Sequence, residues 1–68
     1  MNNLRELFLK AQVKLYEGQL KIEEANLINL ISNTVGIGEH TNISEDIDKH
    51  IAKIAEIEEK IKVTKSYL

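Results

Sequence analysis

Apolar residues recur with a helical period through the first half of the chain, but they fall on two opposite faces rather than one. At about 100° per residue, Leu4, Leu7, Phe8, Ala11, Leu15, Ile22 and Ala25 gather on one side. Leu9, Val13, Tyr16, Leu20, Leu27 and Ile31 gather roughly 180° away. The second half carries a single stripe of Ile43, Ile47, Ile51, Ile54, Ile57, Ile61 and Leu68, with His50 and Thr64 at its edge. Its back is charged, and Glu45/Lys49, Glu56/Lys60 and Glu58/Lys62 are spaced as i,i+4 pairs. Between the halves, residues 32–42 concentrate Ser, Asn, Thr and Gly, the residues that reverse a chain. The pattern therefore predicts an all-α fold and one domain, a coiled-coil-like antiparallel two-helix hairpin. Its helices cover about 4–32 and 43–65, with a loop over about 33–42.

Such a hairpin has one apolar side too many. Either face of the first helix can serve the seam, and we assign the first of them: Leu4, Phe8, Ala11, Leu15 and Ile22 against Ile47, Ile51, Ile54, Ile57 and Ile61. Leu9, Val13, Tyr16, Leu20, Leu27 and Ile31 are then left over as an oligomer or partner interface. Burying each aliphatic side chain contributes about 1.5–3 kcal/mol, so six of them represent on the order of 10 kcal/mol before entropy is subtracted. The chain is expected to form a homo-oligomer. A two-fold dimer closing as a four-helix bundle is favoured over a trimer or higher helical oligomer, and a foreign protein partner is the other way to fill the groove.

Single residues refine the picture. Gly18 lies on the first face between Leu15 and Ile22, as either a point of close backbone approach or a tolerated defect costing about 1 kcal/mol. Asn29 lies on the same face, where a buried asparagine fixes register and a half-exposed one does nothing. Asn2 or Asn3 is placed to cap the first helix. Asn42 with Glu45 reads as a capping box for the second, and Ser44 is an alternative cap.

Composition narrows the function classes. The chain has 68 residues, no cysteine, no proline, three glycines, 29% charged residues and a net charge of -2. A core this small is marginal, and without disulfides or a thiolate metal site oligomerisation is the remaining way to support it. Charges of both signs are interspersed, so no single-sign field draws in nucleic acid or an anionic membrane. No apolar run approaches the ~20 residues of a membrane span. Arg5 beside Glu6 interrupts what a signal peptide would need.

Candidate chemistry is sparse. Glu39, His40, Asp46 and His50 are the residue types of a zinc or manganese site, but Asp46 and His50 are also spaced as an ordinary helical ion pair. Gly36-Ile37-Gly38 lacks the preceding strand and following lysine of a phosphate loop and reads as chain reversal. Lys10, Lys14 and Lys21 on one flank of the first helix support the alternative function, a nucleic-acid-binding hairpin dimer. Glu6, Glu17 and Glu24 share that flank and no aromatic platform accompanies it, which favours a solvated surface. No nucleophile, base and orienting group can be assembled. The sequence thus predicts no enzyme, no cofactor and no metal, and instead a protein–protein interaction or assembly module.

A long amphipathic helix, then Thr34-Val35-Gly36-Ile37-Gly38-Glu39-His40, then an isoleucine-rich helix opening near Ile43 and Ile47, resembles small helical proteins of T-even-like bacteriophages. The layout is also similar to that of their long-tail-fibre assembly chaperones, which are small oligomeric helical proteins. The specific similarity covers about ten residues around the turn. This chain departs from the chaperones in its longer, more lysine-rich second helix. The resemblance implies a phage structural or tail-assembly accessory role, with a location in the host cytoplasm or the virion.

Overall fold

The computed structural model describes residues 3–34 and 42–68. They form α1 (Asn3–Thr34, 32 residues) and α2 (Ile43–Ser66, 24 residues), which pack against each other as a hairpin. Both helices extend a residue or two beyond the periodic apolar pattern, the usual scatter of helix ends. Three cross-helix contacts fix the antiparallel register. An Arg5 guanidinium nitrogen donates to the Tyr67 carbonyl at 2.6 Å, the Lys60 ammonium lies 5.7 Å from the centre of the Tyr16 ring, and His50 Nδ1 is 3.5 Å from Glu23 Oε1. Each step up α1 is a step down α2, which sets Leu20 near the level of Ile54 and Leu27 near that of Ile47.

The seam is the only core among the described residues. Val13 is 6% exposed and Ile57 3%. Leu9, Tyr16, Leu20, Leu27 and Leu30 of α1 are half-buried around them, as are Ile43, Ile47, Ile54 and Ile61 of α2. The stripe on α2 thus packs inward as its spacing predicts, except for Ile51 and Leu68, which are 48% and 49% exposed. At 100° per residue Ile51 sits about 70° round the helix from the centre of that stripe.

The two faces of α1 exchange the roles assigned from the sequence. Leu4, Phe8, Leu15 and Ile22, expected inside the hairpin, are 63%, 68%, 53% and 61% exposed, and Ala11 is exposed with them. Leu9, Val13, Tyr16, Leu20 and Leu27, expected to be left over, form the seam instead, while Ile31 at their end is 46% exposed. Side-chain area explains the choice. The inward face offers a large side chain at each turn. The outward one spends Ala11, Gly18, Ala25 and Asn29 on positions where burial gains little. An isoleucine stripe on α2 removes more apolar surface from water against the former.

The helix ends differ from expectation at one point. Asn42 sits at the start of α2 with φ -114° and ψ -2° and makes no side-chain capping hydrogen bond, so the Asn42–Glu45 box does not form. Its carbonyl accepts the Asp46 amide at 3.0 Å, and Glu45 and Asp46 place negative charge on the first turn, where the helix dipole favours it. At the other end the Tyr67 and Leu68 amides close a tight last turn onto the Thr64 and Lys65 carbonyls.

Candidate interaction surface

The outward face of α1 is the one broad surface whose residue types conflict with its surroundings. Leu4, Leu7, Phe8, Leu15 and Ile22 stand between 53% and 68% exposed along it, and Ile28, 64% exposed, lies on its lysine flank. The stripe from Leu4 to Ala25 spans about 32 Å at the helical rise. Nothing in the rest of the described chain covers it: a Cβ built on Gly18, midway along, would meet no heavy atom within 4 Å. The close approach considered for Gly18 therefore does not occur among the described residues.

The flanks of the stripe are neutral overall. Lys14 reaches Glu17 at 3.6 Å and Lys21 reaches Glu24 at 3.4 Å, both as i,i+3 pairs. Two of the three lysines considered for nucleic-acid contact are thus held by carboxylates of the same flank, which lowers the local positive potential. The other flank carries the uncharged amides Gln12, Gln19 and Asn26. Asn29 Oδ1 accepts from Asn33 Nδ2 at 2.7 Å, so this amide is paired along its own helix.

Among the described residues the remaining candidates do not converge. Glu39, His40 and the Gly36-Ile37-Gly38 turn lie outside the described residues. Of the metal candidates within them, His50 pairs with Glu23 across the seam instead of with Asp46, and no group of three His, Cys, Asp or Glu converges among the described residues. A groove of about 240 Å³ runs beside the seam, lined by Gln19, Ile22, Glu23, Lys53, Glu56, Ile57 and Lys60. Its three charged residues besides Glu23, namely Lys53, Glu56 and Lys60, are exposed side chains of α2 and bring no nucleophile with a base.

Three cross-helix contacts are not specified by spacing within either helix: Arg5–Tyr67, Tyr16–Lys60 and Glu23–His50. They use residues at the rim or the end of the apolar stripes, and only the helix-to-helix register brings them together. The i,i+4 spacing pairs Lys60 with Glu56, whereas in the structure Lys60 lies over the ring of Tyr16. Glu23 and His50 are 21% and 30% exposed in their side chains, so their pair is partly shielded from water. A double-mutant cycle with Glu23→Gln and His50→Gln is expected to give a coupling of about 0.5–1 kcal/mol by urea unfolding. A coupling of zero would make the contact energetically idle.

Among the described residues no helix is long and apolar enough to cross a membrane, so the exposed stripe is not accounted for by a bilayer span. Comparison with protein-family models, curated proteins and solved structures finds no match for this chain.

Proposed function

We propose that this chain is a non-enzymatic protein–protein assembly module whose working surface is the outward face of α1. One observation carries the reading: five large apolar side chains of that face, Leu4, Leu7, Phe8, Leu15 and Ile22, stay 53–68% exposed after the hairpin has closed its own seam. An apolar strip of that length costs solubility unless another protein surface covers it. The mode of action is recognition of one helix face by another, with anchors at helical spacing. The resemblance of the turn to small T-even-like phage proteins gives the reading a concrete form, an accessory or chaperone in tail assembly.

Sedimentation tests it. The native chain is expected to sediment as a multiple of its 7.8 kDa mass, and Leu15→Glu/Ile22→Glu is expected to sediment as a single chain with its helical circular dichroism intact. Both residues are exposed in the hairpin, so charge there leaves the seam untouched. A native chain that is already a solitary particle, with solubility unaltered by the double substitution, overturns the proposal.

A further inference from the structure

The spacing of the exposed face carries more than its apolarity. Reading outward positions at alternating steps of three and four gives a continuous heptad seam in which large and small residues alternate: Phe8, Ala11, Leu15, Gly18, Ile22 and Ala25. The large ones are 53–68% exposed and the space above Gly18 is open. A mid-helix glycine costs about 1 kcal/mol relative to alanine, and nothing within the described chain makes use of its missing side chain.

Resting on the assembly reading above, we propose that the occupant of this face is a second copy of the chain, with the two α1 helices antiparallel and closely packed. The argument is one of volume. Laid antiparallel about a two-fold axis between Tyr16 and Glu17, the stripe overlaps itself along its whole length. Ala25 then meets Phe8 of the second copy, Gly18 meets its Leu15, and Ala11 meets its Ile22. Every layer holds one large and one small side chain, the condition for even packing without voids. A parallel pair stacks Phe8 on Phe8 and Leu15 on Leu15, separated by layers of paired alanine or glycine, alternately overfilled and empty.

Area and charge agree with this occupant. Burial of an aliphatic side chain at 25 cal/mol per Å² corresponds to about 60–120 Å². The five large residues of this face on each copy, Leu4, Leu7, Phe8, Leu15 and Ile22, remove on the order of 1,000 Å² in total, the size at which specific interfaces begin. The amide flank has no charge to repel its own copy, and Lys14 and Lys21 on the other flank are already paired with Glu17 and Glu24. Because the stripe faces away from the seam, α2 of each copy lies outside the pair and does not obstruct it.

The absence of native cysteine makes disulfide trapping clean. Ala11→Cys mixed with Ile22→Cys is expected to give the mixed cross-linked dimer under a glutathione redox buffer, while Ala25→Cys alone gives no cross-link. Gly18→Leu supplies a second test. It adds apolar surface, so loose hydrophobic association would tighten, whereas a close antiparallel contact is expected to weaken at least tenfold in Kd with helix content unchanged. Efficient self-cross-linking of Ala25→Cys, a trimer or larger particle, or tighter association of Gly18→Leu overturns this arrangement while leaving assembly through α1 standing. A native chain that sediments alone and yields no cross-link overturns both.

Discussion

Ile57→Ala is expected to leave the hairpin largely unfolded at room temperature. Ile57 is 3% exposed, the most buried side chain in the described structure, and Val13 at 6% is the one residue of α1 with comparable burial. Truncating a buried isoleucine to alanine costs about 2–5 kcal/mol, because the transfer energy of the lost carbons adds to that of the cavity left behind. A core in a chain of this size rarely supplies more than about 3–5 kcal/mol. The single substitution is therefore comparable to the whole stability of one hairpin. Urea unfolding in the Leu15→Glu/Ile22→Glu background separates this loss from any contribution of assembly. Ile51→Ala serves as the control, since Ile51 is 48% exposed and its truncation is expected to cost less than about 1 kcal/mol. Equal midpoints for the two variants would mean that the seam does not run through Ile57.

The helices were legible in the sequence because their signals are local. A period of 3.6 over residues 4–32 and 43–65 needs no tertiary information, and α1 and α2 at 3–34 and 43–66 follow it closely. The single stripe of α2 was equally readable, since Ile47, Ile54, Ile57 and Ile61 had nowhere else to go. The choice between the faces of α1 was not, because counting apolar residues scores Ala11 and Ala25 as equal to Val13 and Leu20. Hydrophobic gain follows area at each turn, and the face interrupted by Ala11, Gly18, Ala25 and Asn29 is the one that turns outward. The Asn42 cap failed for a related reason: Asp46 and Glu45 already complement the start of α2, and the Asn42 backbone, not its side chain, makes the first bond. What the surface does was legible only as an excess of apolar positions. Its location depends on which residues the seam consumes, and that is set by packing between the helices and not by local pattern.

Leu20→Glu and Leu15→Glu are the same chemical change five residues apart on one helix, and they are expected to have opposite consequences. Five residues turn the side chain by about 140°. Leu20 is half-buried in the seam, near the level of Ile54, whereas Leu15 is 53% exposed. A glutamate at position 20 forfeits about 1.5–3 kcal/mol of apolar burial. It also brings a carboxylate toward a surface of isoleucines that offers it no partner, at a further cost of a few kcal/mol. The total matches or exceeds what a core this small supplies. Leu20→Glu is thus expected to lose most of its helical circular dichroism at any protein concentration. At position 15 the carboxylate remains in water, so Leu15→Glu is expected to keep its helicity and lose only its ability to associate. Measuring both spectra alongside both sedimentation coefficients separates folding from assembly in one experiment. If Leu20→Glu instead gave a folded single chain and Leu15→Glu an unfolded one, the inward face of α1 would be the one containing Phe8 and Ile22, and the exposed stripe on which the assembly reading rests would belong to the seam.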